Sequence, residues 1–202
     1  MGFFRWLRRA ATERAAVIDV HLNARLQPMH RGDRFEDPVV AALESAGLRS
    51  GVLDAGTAFT RGMRIVSCDV SFGVPIDQAD EGLFQIKKAL RAIGTPRGST
   101  ITMYSNELDP IGSLYGVALR VPLVDAVDFT DDRNIEHNRE LDALMIRIDS
   151  ALGDDGSVWS WHVHRGSDVF VYGDSRGRLH EVLESLIASD PLLAGATLTD
   201  VA

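Results

Sequence analysis

The sequence predicts an α+β fold of two tandem ferredoxin-like βαββαβ units, each built on a four-stranded antiparallel sheet, with a short N-terminal helix ahead of them. Three observations predict it. Apolar residues alternate with period two in some segments and recur at i, i+3 and i+7 in others, so strands and helices separate by pattern. Clusters of Gly, Pro, Asn and Asp punctuate these segments. The resulting order, strand-helix-strand-strand-helix-strand, occurs twice in 202 residues.

The leading segment, residues 1–16, interleaves Phe3, Phe4, Trp6 and Leu7 with Arg5, Arg8 and Arg9. As an amphipathic helix it would cover an edge of the domain, with contact of residues 1–9 to an anionic membrane surface as the alternative. Trp6 stands where a myristoylation motif requires Ser or Thr. The first unit, residues 17–105, opens on a strand with Ile18, Val20, Leu22, Ala24 and Leu26 on one face and Asp19, His21, Asn23 and Arg25 on the other. Pro28 ends this strand, and a polar loop leads to a helix that Asp37 caps and Pro38 enters at its first turn. Gly47 closes that helix. Strands over 51–59 and 63–72 follow, joined by Thr60-Arg61-Gly62. Leu83, Ile86, Leu90 and Ile93 mark a second helix, stopped by Gly94 and Pro96, and residues 98–105 form the closing strand.

Residues 106–112, Asn-Glu-Leu-Asp-Pro-Ile-Gly, read as a linker. The second unit, 113–202, repeats the order. A strand over 114–124 precedes a long helix over 133–152, lined by Leu141, Leu144, Met145, Ile148 and Leu152. A hairpin of 157–164 and 168–172 turns at Arg165-Gly166-Ser167. A helix over 176–189 carries Leu179, Val182, Leu183 and Leu186, Pro191 stops it, and a strand over 196–201 ends the unit. Right-handed crossovers place both helices of such a unit on one face of its sheet and leave the other face bare.

Composition narrows the function classes. The chain is 45% hydrophobic and 25% charged, so it carries enough apolar material for a core. Cys68 is the only cysteine, which excludes an internal disulfide framework, and by alternation it is a buried hydrophobe. No apolar run approaches the ~20 residues of a membrane helix, and a cytoplasmic protein is expected. The net charge of −8 divides unevenly: residues 1–105 carry 14 Lys+Arg and 11 Asp+Glu, residues 106–202 carry 7 and 18. No Gly-rich phosphate loop, nucleophile elbow or zinc motif occurs, which argues against an enzyme, and neither a cofactor nor a metal is expected. His162 and His164 share a strand face with Trp159 and Trp161 on the other, but only Asp168 is near enough in sequence to serve as a third ligand, too few for a metal site.

Two candidate surfaces remain. The first is acidic: Asp128, Asp131, Asp132, Glu136 and Glu140 run into and along the long helix, and such a field steers a basic protein partner. The second is the bare sheet face of the first unit. His21, Asn23, Arg25, Asp54 and Asp69 are polar there, with His30 and Arg31 in the following loop, and they offer a carboxylate-gripping guanidinium and proton-handling side chains. That face lacks the aromatic rings on which bases stack, so nucleic acid is not expected as a partner.

The run His21-Leu22-Asn23-Ala24-Arg25-Leu26-Gln27-Pro28, followed by His30-Arg31-Gly32 and Phe35-Glu36-Asp37-Pro38, resembles a group of uncharacterised bacterial proteins sharing this strand, loop and capped helix. In that group a glycine-rich turn then leads into Thr, matched here by Asp54-Ala55-Gly56-Thr57 with two glycines replaced. Val169-Phe170-Val171-Tyr172-Gly173-Asp174, Leu179, Asp190-Pro191-Leu192 and Gly195-Ala196 are similar to the C-terminal ends of such proteins. The resemblance implies the two-unit fold and a bacterial origin. Small acidic proteins of this kind also look like immunity proteins of bacterial toxin systems, which implies a non-enzymatic inhibitor masking a basic partner. A small-molecule enzyme or sensor using the sheet-face cluster is the alternative.

Overall fold

The computed structural model describes residues 15–104, 106–107, 110–122, 132–163 and 166–202, with backbone only at 106–107 and 132–138. Residues 1–14, on which the expected N-terminal helix falls, lie outside the described residues. The chain divides into two compact units. Unit 1 takes the chain up to Ala24, Pro28–Ala58 and Val66–Ser113; unit 2 takes Arg25–Gln27, Phe59–Ile65 and Leu114–Ala202.

In unit 1, β1 (Ala15–Leu22), β2 (Gly51–Phe59), β3 (Ile65–Pro75), β4 (Thr100–Met103) and β5 (Asn106–Glu107) form one sheet in the order β2-β3-β1-β4-β5. The first four strands have the ferredoxin-like arrangement, with β1 and β3 central and antiparallel. Val20 lies opposite Val70 on one side and Ile101 on the other, which puts three apolar side chains in a row on the helix-facing side. Against them pack α2 (Asp37–Ser45) through Val39 and Leu43, and α3 (Ala79–Ile93) through Ile86 and Leu90, all essentially inaccessible to solvent. Fully burying each such side chain contributes about 1.5–3 kcal/mol. Cys68 is buried in this layer, its sulfur 3.6 Å from the Ala24 carbonyl oxygen.

The segment expected as a polar loop is helical. α1 (Pro28–Arg31) runs through a π-helical turn (Gly32–Glu36) into α2, so the helix begins at Pro28 rather than Pro38. Pro38 has no N–H to donate, and the wider ladder ends just before it, with the Asp37 N–H donating to the Gly32 carbonyl. Asp37 is thus inside the helix instead of capping it. At the start of β3, Ile65 is buried and Val66 exposed, and Ile65 belongs to unit 2. Asn106 and Glu107, expected in the linker, add the short strand β5.

In unit 2, β6 (Tyr115–Val121), β7 (Ser157–Val163), β8 (Ser167–Gly173) and β9 (Thr197–Asp200) take the order β7-β8-β6-β9, the same arrangement again. α4 (Asp132–Leu152) and α5 (Arg176–Ser189) bury Leu141, Leu144, Ile148, Leu152, Leu179 and Leu183 against Val117, Leu119, Val121, Val169 and Val171. Ser175 caps α5 by accepting from the Arg178 N–H. A bulge at Val158/Ser160 corrects one expectation. It separates the two tryptophans, so Trp159 stacks on Tyr172 with ring centroids 4.3 Å apart, while Trp161 packs against the helix-side core.

The faces away from the helices differ between the units. In unit 1 that face is polar and exposed at Asp19, His21 and Asp69. In unit 2 it is buried at Ala118, Trp159, Ser160, Phe170 and Tyr172. Its cover is the pair of short segments from the first half of the chain. The Tyr172 hydroxyl accepts from the Arg25 N–H at 2.8 Å, Ser160 Oγ accepts from the Gln27 N–H at 3.1 Å, and Gln27 Nε2 donates to the Trp161 carbonyl. The His162 ring contacts Phe59 and hydrogen-bonds the Met63 carbonyl at 2.8 Å.

Gly112 packs directly on the chain at Pro96: a Cβ there would lie 1.8 Å from the Pro96 carbonyl oxygen, whereas a Cβ at Gly56 would meet nothing within 4 Å. Gly112→Ala is therefore expected to destabilise unit 1 by at least the ~1–3 kcal/mol of ordinary overpacking, and Gly56→Ala to leave it nearly unchanged, by chemical denaturation.

Candidate functional site

A groove with convergent polar groups, about 930 Å³ in volume, lies on unit 1 between the α2 helix and the edge strand β2. The helix side supplies Glu36, Asp37, Val40 and Glu44; the connecting turn supplies Arg49 and Ser50; and β2 supplies Leu53 and Asp54. Gly47, at φ +77°, ends the helix and turns the chain back toward β2. Carboxylates outnumber the single guanidinium in this wall. Ser50 Oγ is buried there and makes no hydrogen bond, an unusual state for a buried hydroxyl.

Glu36 is fixed from behind. The buried Arg31 donates from Nε to Glu36 Oε1 at 2.6 Å and from Nη1 to Thr57 Oγ1 at 2.9 Å. The Arg31 and Glu36 side chains are 8% and 18% exposed, so the pair is held in a low-dielectric environment and ties the helix to β2. The π-helical turn makes this possible by spacing Arg31 and Glu36 five residues apart on one side of the helix.

The expected sheet-face cluster is divided among separate partners. His21 Nδ1 lies 2.8 Å from Asp69 Oδ1, a cross-strand pair in register and largely exposed. Ser71 Oγ donates to Asp19 at 2.5 Å beside it. Asn23 Nδ2 donates to the Arg97 carbonyl at 2.7 Å. Arg25 belongs to unit 2. Asp54 alone of the sheet-face set reaches the groove, its Oδ1 also accepting from the Ala55 N–H at 2.9 Å. His30 is half-buried on α1; burial lowers its pKa below 6.5, with Asp33 opposing.

Of the acidic surface, Asp128 and Asp131 lie outside the described residues, and Asp132 and Glu136 fall where the backbone alone is described; Glu140 is exposed on α4. His164 also lies outside the described residues. Asp168 pairs with Arg120 at 3.2 Å. Among the described residues, no group of three or more His, Cys, Asp and Glu is placed to hold a metal ion, and no helix is long and apolar enough to cross a membrane. Asp200 on β9 is held down to about 2 by the Arg176 guanidinium, helped by His180, and this exposed cluster ties β9 to α5.

Sequence reasoning passed over Glu44, Arg49 and Ser50. Their signal was present in the two glycines, Gly47 and Gly51, that bracket a short polar turn before an edge strand, but nothing in the sequence tells which strand is the edge.

No family model and no curated protein sequence matches the chain. Among solved structures it is similar to the ligand-free regulatory subunit of aspartate kinase from Thermus thermophilus, at 14% identity and a TM-score of 0.28, covering 84% of this chain and 91% of that one. A structure of aspartokinase alpha and beta subunits gives 13% identity and a TM-score of 0.28, over 84% and 93% of the two chains. A protein of unknown function from Galdieria sulphuraria gives 10% identity and a TM-score of 0.27, over 92% and 96%. Likeness at this level carries no activity or ligand across to this chain.

Two outcomes follow for this region. Glu36→Gln leaves the buried Arg31 without its carboxylate and is expected to cost about 3 kcal/mol in denaturant titrations, whereas Asp69→Asn, at an exposed pair, costs less than about 1 kcal/mol. A lowered His30 pKa means that the folded chain binds fewer protons than the unfolded one just below pH 6.5. The stability it contributes is present above that pH and is lost as pH falls through the depressed value. Midpoints measured between about pH 5 and 8 should show this slope in the wild type and a shallower one in His30→Gln.

Proposed function

We propose that this chain is a non-enzymatic binding protein that senses a small amine-bearing ligand, cationic or zwitterionic, in the groove between α2 and β2. The carrying observation is the pairing of the unsatisfied Ser50 hydroxyl with a wall of carboxylates, Glu36, Asp37, Glu44 and Asp54, around the one guanidinium of Arg49. An ammonium group meets the carboxylates, and a ligand carboxylate meets Arg49. The edge of β2 adds backbone donors and acceptors that a polar ligand engages. No nucleophile with an adjacent base lines this groove, so the reading is binding without turnover.

This reading competes with docking of a basic protein partner, immunity-type or otherwise, through Asp128, Asp131, Asp132, Glu136 and Glu140. Thermal unfolding in the presence of free amino acids and diamines distinguishes them. At least one member of the panel should raise the midpoint by an amount that grows with concentration, since a ligand at 100 times its Kd adds about 2.7 kcal/mol. Glu44→Lys, at an exposed position, should abolish that rise without lowering the unliganded midpoint. A panel that leaves the midpoint fixed, or a rise that survives Glu44→Lys, contradicts the groove.

A further inference from the structure

The turn between β2 and β3 presents its side chains to solvent. Residues 59–64, Phe-Thr-Arg-Gly-Met-Arg, are all exposed, with Phe59 42% and Met63 50% accessible, while Ile65 directly after them is buried. Two large apolar side chains are thus interleaved with two guanidiniums, Arg61 and Arg64, on a tip that belongs to unit 2. From this we infer that the tip is a docking surface for an anionic lipid bilayer, with Phe59 and Met63 entering the interface and Arg61 and Arg64 meeting the charged headgroups. It is independent of the groove on unit 1.

The tip is held in one shape. The Thr60 N–H donates to the Arg64 carbonyl at 2.9 Å, the Met63 N–H to the Thr60 carbonyl at 3.0 Å, and the Arg64 N–H to Thr60 Oγ1 at 3.1 Å. From behind, the His162 ring hydrogen-bonds the Met63 carbonyl at 2.8 Å and lies 5.9 Å from the Phe59 ring. Met63 has φ +58°, a left-handed conformation that glycine or asparagine adopts more readily. Turn geometry therefore does not call for methionine there, and what the position offers is an exposed thioether side chain. A tip already ordered loses little further freedom on docking.

Charge and shape select the occupant. Neither 59–68 nor 157–167 contains an acidic residue, and Arg61 and Arg64 form no ion pair among the described residues. Asp154 and Asp155 precede Ser157, the far end of β7, which lies roughly 20 Å along that strand from Val163. That is well beyond the ~8 Å over which exposed charges act in physiological salt, so they do not cancel the tip. A stable protein interface needs about 800 Å² of matched surface on each side, which a convex tip of six residues does not offer. A bilayer interface closes around a small convex tip, and apolar side chains flanked by arginine partition into it while the arginines stay at the headgroups.

The test is co-sedimentation of the full chain with phosphatidylcholine vesicles, with and without about 30 mole per cent phosphatidylserine, in about 0.1 M salt. Binding is expected to the anionic vesicles and not to the neutral ones. Arg61→Gln should weaken it about fivefold, the share of one arginine at an anionic surface. Met63→Asn, which suits the left-handed backbone, should weaken it severalfold without lowering the thermal midpoint. Arg91→Gln, an exposed arginine on α3 of unit 1, should leave it unchanged. No binding to anionic vesicles up to about 5 mM lipid, or equal binding to neutral ones, overturns the inference. So does binding unaltered in both Arg61→Gln and Met63→Asn, which would place the contact elsewhere, as on residues 1–9. Tighter retention on poly-glutamate than on anionic vesicles would assign the tip to an acidic protein and overturn it likewise.

Discussion

A sheet with both of its helices on one side must do something with its other side, and the two units solve this in opposite ways. In unit 1 that face is polar and exposed at Asp19, His21 and Asp69, with His21 facing Asp69 and Asp19 facing Ser71 across β1 and β3. Unit 2 makes the face apolar, and Ala118, Phe170, Tyr172 and Trp159 cannot be left exposed without a large cost. The cover is Arg25–Gln27 and Phe59–Ile65, so the segment after β1 and the β2–β3 turn are shaped by the needs of the second sheet. Arg25 and Arg64 of that cover line a small cavity of unit 2 together with Arg120 on β6, Asp168 on β8 and Thr199 on β9.

This constraint also decides what was legible beforehand. Helices and strands of unit 2 were readable to within a few residues, because each has one apolar stripe and clear punctuation at Gly153, Gly156, Pro191 and Gly195. The ferredoxin-like order followed from the sequence of elements. What failed was local and had a tertiary cause. Alternation breaks at Ile65 and Val66, where Ile65 belongs to unit 2, and the Trp159–Trp161 pair splits because a bulge turns Trp159 onto Tyr172. The polar run from Pro28 to Pro38 looked like a loop since two prolines and a glycine sit in it; the π-helical turn that reconciles them with a helix leaves no distinct mark in composition.

Site residues were harder to read than the fold. Polar residues on one strand face are neighbours in sequence pattern, yet His21, Asn23 and Arg25 each find a different partner, and the first two are spent on holding strands and loops together. The residues that line the groove come instead from the length of α2, the turn after it and an edge strand, and it is the sheet order that makes β2 an edge. The buried Arg31 links the two observations. Its bonds to Glu36 and Thr57 fix helix to strand, and they hold a carboxylate at the groove wall in one orientation before any ligand arrives. Preorganisation of that kind reduces the ordering cost of binding.

The central claim is that the chain carries a small ligand and performs no chemistry on it. Native mass spectrometry of the protein, purified gently from its own host, tests this most directly. The account predicts bound mass of roughly drug size or smaller, released unaltered on denaturation. A protein that flies as the bare chain, a bound species released as a reaction product of what was added, or a basic polypeptide as the bound species would contradict it.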